Sequence, residues 1–168
     1  MTNRFELFGL PLSSEKKGLD ALALCPDFYL DFMTACPSQH LGPEKLHTID
    51  VMKSAIRQAC SIYRGRAQHT TSPQQSVELV ERMQSTVAGL DPKEDGCHAL
   101  VWAYFVAAAE STLPHHREFF INRLRNLFEC TRFGSIPLAL ETLQIIWSAP
   151  SSAHWTDVVT RERPILIM

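Results

Sequence analysis

Glu110 is the acid best placed to do chemistry. It ends an apolar run from Ala99 to Ala109. A carboxylate among apolar side chains must find a positive partner or become neutral. Arg117 lies across the break at Leu113-Pro114, close enough in sequence to be that partner. The pair could be a general acid or ligand anchor, or an ion pair that fixes the corner between two helices. We favour the ion pair of Glu110 and Arg117, because no nucleophile or base accompanies it.

Histidines and cysteines could bind metal, but their spacing does not favour it. His115 and His116 are adjacent, so they point in different directions on a helix, whereas metal ligation usually needs i, i+4 spacing or a third convergent ligand. The five cysteines are widely spaced and contain no C-x-x-C pair: Cys25, Cys36, Cys60, Cys97 and Cys130. Buried, reduced thiols are the favoured interpretation. We therefore predict no metal ligands and no cofactor.

Other catalytic signatures are also missing from the sequence. It contains no glycine-rich phosphate loop, no G-x-S-x-G elbow and no H-E-x-x-H pair. We therefore predict that the chain is not an enzyme and that it has no catalytic and no cofactor-binding residues.

Four arginines give one helical region a positive character: Arg117, Arg123, Arg125 and Arg132. They could bind phosphate or an acidic partner, but a solvated helix face is the favoured interpretation. The formal net charge is -2 and the pI is about 6.4, whereas domains that grip phosphates are normally basic. We therefore expect no direct nucleic-acid binding by this chain.

Three tryptophans could line a ligand pocket or form part of the core. Core packing is the usual role of large aromatic side chains at helical spacing. The predicted core contains Trp102, Phe105, Leu124, Leu143, Trp147 and Trp155.

Composition is typical of one globular domain. The chain has 168 residues, of which 45% are hydrophobic and 20% charged, and that length suffices to bury a core. The start, Met1 to Leu10, lacks a signal-peptide apolar region, and the longest apolar run is shorter than the roughly 20 residues of a membrane span. We expect a single helical domain over residues 1–168, in the nucleus or cytoplasm and without membrane insertion.

Helical spacing recurs along the first half of the chain. A helix from Cys25 to Ala35 would place Phe28 and Phe32 on one face. A second helix starts near Pro43, and we expect its apolar stripe to consist of Leu46, Ile49, Ile56, Cys60 and Tyr63. Ser72-Pro73-Gln74-Gln75 is typical of a helix start with a capping box.

The second half contains the predicted centre of the fold. A helix from about His98 to Glu110 is apolar on all sides, so it belongs inside a bundle. Gly134 could take a left-handed conformation after one helix, and Ser135 could cap the next. A short last helix contains Trp155. The pattern predicts an all-α fold, an irregular helical bundle of about seven helices around the central apolar helix.

The stretch from Trp102 to Trp155 resembles the C-terminal part of the fungal-specific transcription factor domain, which accompanies the Zn₂Cys₆ DNA-binding cluster in many fungal regulators. The shared elements, in order, are Trp102, Ala107-Ala108-Ala109-Glu110, Arg117, the Leu124 and Phe128 stripe, Thr131, Gly134, Leu143 to Ile146-Trp147, and Trp155. Two features depart from the family. Ala103 stands where proline often occurs soon after the first tryptophan, and the zinc cluster's six closely spaced cysteines are missing.

The resemblance implies a helical, nuclear regulatory module that responds to metabolites or serves as a platform for dimerisation or coregulators. It supplies no functional residues, because the family's site residues are not well defined. The expected partners are other proteins or a second copy of the chain, with a small-molecule effector possible. The alternative is a stand-alone helical small-molecule-binding protein, or, less favoured, an enzyme with an unrecognised site.

With the zinc cluster missing, the resemblance leaves three alternatives: a fragment, a truncated gene product, or a relative that has lost DNA binding. If the chain is the C-terminal half of a longer regulatory domain, an apolar patch should remain uncovered near its start. The expected residues are Phe5, Leu7, Phe8, Leu10, Leu22, Phe28 and Phe32.

Overall fold

The computed structural model describes residues 42–93, 96–150 and 154–162. Within those ranges the regular structure consists of six α-helices and one 3₁₀ turn. They are α1 (Pro43–Ala67), α2 (Pro73–Val87), the 3₁₀ turn (Cys97–Leu100), α3 (Val101–Glu110), α4 (Pro114–Thr131), α5 (Ser135–Ser148) and α6 (Trp155–Glu162). The predicted all-α class is confirmed. The helix predicted from Cys25 to Ala35 and the apolar patch expected near the start lie outside the described residues.

Helix α3 is the centre of the bundle, as its sequence predicts. It contacts α1, α2, α4 and α5, and every residue from Val101 to Glu110 is buried except Trp102. Its last turn contains Ala107, Ala108 and Ala109, whose small side chains allow neighbouring helices to approach closely. The helix is shorter than expected at its start, because Cys97–Leu100 forms a 3₁₀ turn.

The face that α1 buries differs from the predicted stripe. Its buried residues are Met52, Ala55, Ala59 and Ile62. The predicted residues, Leu46, Ile49, Ile56, Cys60 and Tyr63, stay partly exposed, and Leu46 retains 38% of its accessible surface. At 100° per residue the two sets lie about 100° apart around the helix axis. We call the partly exposed set the outer stripe. Three of its members, Ile49, Ile56 and Tyr63, pack against the core without being fully buried, so the predicted stripe borders the buried face and does not form it.

The start of α2 has the predicted capping box. The Ser72 hydroxyl accepts a hydrogen bond from the Gln75 backbone N–H at 3.2 Å, and the Gln75 side chain accepts one from the Ser72 N–H at 3.0 Å. Both bonds satisfy donors that the first turn of a helix leaves unpaired.

Replacing Ser72 by Ala should therefore lower the free energy of unfolding by about 1 kcal/mol, the usual cost of losing such a cap. Urea denaturation followed by circular dichroism would measure it. Ser61→Ala is the matched control, because Ser61 is exposed in the middle of α1 and alanine favours helix there. Equal stability of the Ser72 variant and the parent chain would contradict the cap's contribution.

The turn between α4 and α5 differs in detail from its prediction. Arg132, not Gly134, takes the left-handed conformation, with φ of 56°. Gly134 has φ of -63° and is itself the residue that precedes α5. The turn therefore falls where the sequence places it, although a non-glycine residue carries the positive φ.

Candidate functional site

Glu110 is the centre of a buried polar cluster. It is 2% exposed. Its carboxylate accepts hydrogen bonds from Arg66 Nε at 3.0 Å, from a second guanidinium nitrogen of Arg66, and from Trp155 Nε1 at 2.7 Å. Its backbone carbonyl accepts a longer bond from the Ser76 hydroxyl at 3.4 Å. A single residue at the end of α3 thus joins α1, α2 and α6.

The arginine that pairs with Glu110 is Arg66, so the expected choice of Arg117 is corrected. The Arg66 guanidinium and the Glu110 carboxylate form a bidentate ion pair, a geometry that arginine can form and lysine cannot. Hydrogen bonding to Glu110 raises the pKa of Arg66 above its usual value. The Glu110 carboxylate is directed towards α1 and α6, where Arg66 and Trp155 bind it.

Arg117 still fixes the corner between α3 and α4, but through other groups. Its Nε donates to the Ser111 carbonyl at 2.9 Å, and its guanidinium carbon lies 4.8 Å from the centroid of the Trp147 ring. Trp147 in turn donates from Nε1 to the Ala108 carbonyl at 3.2 Å. The two side chains therefore bind backbone carbonyls at the end of α3, where the Ala108 carbonyl also accepts from the Ser111 N–H at 3.1 Å.

An aromatic cluster surrounds the Glu110 cluster. Trp155 meets Phe105 with ring centroids 6.3 Å apart and Tyr63 at 5.9 Å, in edge-to-face geometries that favour aromatic pairs. Tyr63 also lies 6.4 Å from Trp102. These contacts hold α6 against α1 and α3.

The six residues expected in the core fall into two groups. Phe105, Leu124, Leu143 and Trp155 are buried. Trp102 and Trp147 are only partly buried and pack against the core from outside. Trp102 was expected to be almost fully buried, and that expectation is corrected. It is the one residue of α3 whose ring lies at the edge of the helix bundle.

Arg123 of α4, and Arg132 directly after it, have more specific contacts than a solvated face would give. Arg123 donates to the Leu90 carbonyl at 2.5 Å and to the Ala88 carbonyl at 2.6 Å, just after the end of α2. The guanidinium of Arg132 lies 5.6 Å from the Phe128 ring centroid. Arg123 thus donates to carbonyls that follow the end of α2, so its role is structural.

His116 is buried, which its place beside His115 in the sequence did not indicate. It is 1% exposed, and its Nδ1 has no hydrogen-bond partner, while the ring of the exposed His115 lies 4.1 Å away. Burial lowers the pKa of His116 below its usual value; the positive form of His115 lowers it further, and Glu81 opposes both effects. Within the described part of the chain, no group of three His, Cys, Asp or Glu residues could hold a metal ion.

The buried imidazole should make stability depend on pH. Because the folded pKa lies below the unfolded value of about 6.5, the unfolded chain binds more protons as the pH falls through that value, and stability decreases. Parallel urea titrations at pH 7.5 and 5.5 should show that His116→Phe loses less stability over this range than the parent chain does. The control His115→Gln should keep most of the parent's pH dependence. An unchanged pH dependence in the His116 variant would contradict this account.

A family model described as the fungal specific transcription factor domain matches residues 10–168. The chain belongs to this family. The match covers the Glu110 cluster and all of the described helices, so the earlier resemblance over Trp102 to Trp155 is confirmed and extended. Membership in the family indicates a role in transcription regulation. No curated protein and no solved structure matches the chain.

The contacts of Glu110 favour a structural role in this fungal specific transcription factor domain. Both carboxylate oxygens accept from Arg66 or Trp155, so the acid ties helices together. Arg66 lies far from Glu110 in the sequence, so local patterns could not predict that the two form a pair. The nearer Arg117 was the expected partner, and only the fold shows that Arg66 takes this place. Of the helices that the structure describes, none is long and apolar enough to cross a membrane.

Proposed function

We propose that this chain is the regulatory and interaction part of a fungal zinc-cluster type transcription factor. It would act on transcription through protein contacts, without itself binding DNA. The observation that carries the proposal is the family match over residues 10–168. The formal net charge of -2 and the lack of clustered cysteines support a role separate from DNA binding.

The partners proposed for this domain are proteins, including a second copy of the chain. The charges of the polar cluster around Glu110 are paired and hydrogen-bonded inside the fold. Such a network makes the domain rigid, which suits a binding surface for protein partners. A small-molecule effector is a further part of the proposal. The family's link to transcription supports a site of action in the nucleus.

The test is to fuse residues 1–168 to an unrelated DNA-binding domain in a fungal cell that carries a reporter gene. The fusion should change reporter output several-fold relative to the DNA-binding domain alone. A fusion with the destabilising substitution Glu110→Ala, expressed to the same level, is the control and should lose the effect. A fusion with no effect on transcription would contradict the proposal.

Direct DNA binding is tested separately, with the purified chain and a library of duplexes at physiological salt. We expect no sequence-specific binding and no stoichiometric zinc by metal analysis, since a zinc cluster needs its cysteine thiolates. Specific binding of one duplex would contradict a role through protein contacts.

A further inference from the structure

Two histidines from distant parts of the chain meet where the end of α1 lies beside the start of α6. His69 comes just after α1, and His154 directly precedes α6. Their ring centroids are 4.2 Å apart, and the ring planes make an angle of 59°. Because the two residues are far apart in the sequence, only the fold brings these imidazoles together.

The pair is open to solvent, which distinguishes it from the other close pair of histidines. His69 is exposed and His154 is half-buried. His115 and His116 have ring centroids 4.1 Å apart, but His116 is 1% exposed. A hydrated metal ion exchanges water for imidazole nitrogen, so it needs access to both rings. Of the two pairs, His69 and His154 give that access.

The ends of two helices fix the backbone of both residues. His69 has φ of 55°, and its N–H donates to the Arg66 carbonyl at 3.1 Å, so it closes the end of α1. The His154 carbonyl accepts from the N–H groups of Asp157 and Val158 at 3.0 and 3.2 Å, which begins α6. Ligands on a rigid backbone lose little freedom when they bind, so this arrangement favours binding by both rings.

The separation of the rings suits one metal ion bound by both imidazoles. An imidazole nitrogen binds a first-row metal at about 2.0–2.1 Å, so two imidazoles bound at a right angle have ring centroids about 4.5 Å apart, against about 5 Å in a tetrahedral site. The observed 4.2 Å is nearer to the right-angled arrangement. Right angles between ligands are typical of tetragonal Cu²⁺ and Ni²⁺ sites with nitrogen and oxygen ligands.

We propose that His69 and His154 bind one divalent transition metal ion of the Cu²⁺ and Ni²⁺ class, which joins the end of α1 to the start of α6. Water fills the other coordination positions, because within the described ranges no third His, Cys, Asp or Glu completes the group. Two protein ligands hold an ion less firmly than the three or four of most zinc sites. The ion therefore exchanges readily, and this binding is independent of the transcriptional role.

An ion at this place stabilises the docked position of α6. The helix Trp155–Glu162 has 8 residues, and a helix of that length is not stable without contacts to the rest of the fold. A metal bridge at His154 adds one contact, which lasts only while the ion is bound. Because the ion binds the folded chain in preference to the unfolded one, it shifts the equilibrium towards the docked helix.

Calorimetric titration of the purified full chain with NiCl₂ tests the site, in a buffer that does not bind metal. Ni²⁺ is preferred to Cu²⁺ as the probe because it does not oxidise the free thiols. His69→Asn and His154→Gln should each weaken Ni²⁺ binding at least tenfold, since even an outer-shell partner of a metal site is typically worth 10–100-fold. Asparagine is chosen at position 69 because it tolerates a positive φ.

Two control variants remove other groups that could bind Ni²⁺. His115→Gln removes a ring of the second histidine pair, and Cys130→Ser removes an exposed thiol. Both should bind Ni²⁺ as the parent chain does, and circular dichroism of each variant verifies its fold. The proposal is overturned if the parent chain binds no Ni²⁺, or if His69→Asn and His154→Gln bind it unchanged. A loss of equal size in either control variant would also overturn it.

Amide hydrogen exchange shows whether the ion joins the two helices. Addition of Ni²⁺ should slow exchange in α6 several-fold in the parent chain, relative to the amides of α4. The same addition should leave α6 unchanged in His69→Asn, a variant in which the sequence of α6 is intact. Titration that shows binding, combined with exchange in α6 that Ni²⁺ does not slow, would mean that the ion does not join α6 to α1.

Discussion

Replacing Glu110 by Ala should lower the free energy of unfolding by about 3–5 kcal/mol, the usual cost of removing one partner from a buried ion pair. The substitution leaves the Arg66 guanidinium without its counter-charge and the Trp155 N–H without an acceptor. Trp155 is buried and the Arg66 side chain is only 20% exposed, so neither group recovers its hydration in full. Urea unfolding followed by tryptophan fluorescence and circular dichroism would measure the loss.

A matched acid on the surface separates this effect from a change in net charge. Glu118 is exposed on α4, and Glu118→Ala should change stability by less than about 0.5 kcal/mol. The double variant Arg66→Met with Glu110→Met should recover much of the loss, because an apolar pair of similar volume removes both buried charges together. A Glu110→Ala variant as stable as the Glu118→Ala variant would show that the cluster does not hold the helices together.

Much of the fold could be predicted from short-range signals. The capping box at Ser72 needs only four consecutive residues, and the structure contains it. Helix α3 has no polar face, and a helix that is apolar on all sides is normally buried. Its central position in the bundle follows from this. The burial of Glu110 follows from the same run, because its neighbours Ala107, Ala108 and Ala109 are buried as well. In each case the cause lies within one turn or one helix.

The features that the sequence could not predict depend on which helices meet. Arg66 lies 44 positions from Glu110, and nothing local distinguishes it from the nearer Arg117. Helix α1 has two sets of residues at helical spacing, and the set with larger side chains is the more obvious one. The fold buries the set with Ala55 and Ala59 instead, since small side chains let α1 approach its neighbours closely. Hydrophobic spacing alone favours the set with the larger side chains, and it does not show that small side chains allow closer packing of the helices.

Trp155→Ala should cost about 3–5 kcal/mol, as large-to-small changes at buried aromatic positions do. The ring is 6% exposed and contacts Phe105 and Tyr63, so its loss leaves a cavity under α6. Trp155→Phe keeps much of the aromatic packing but removes the N–H that donates to Glu110. It should cost at least about 1.5–3 kcal/mol, the range for a hydrogen bond to a charged group. The difference between the two variants separates packing from hydrogen bonding, and hydrogen exchange of α6 would show whether the helix detaches.

If both substitutions left the free energy of unfolding unchanged, α6 would not belong to the cooperative core. The hydrogen bond from Trp155 to Glu110 would then have no energetic role. Equal losses in the two variants would instead assign the whole effect to the hydrogen bond, because phenylalanine restores the ring and not the donor.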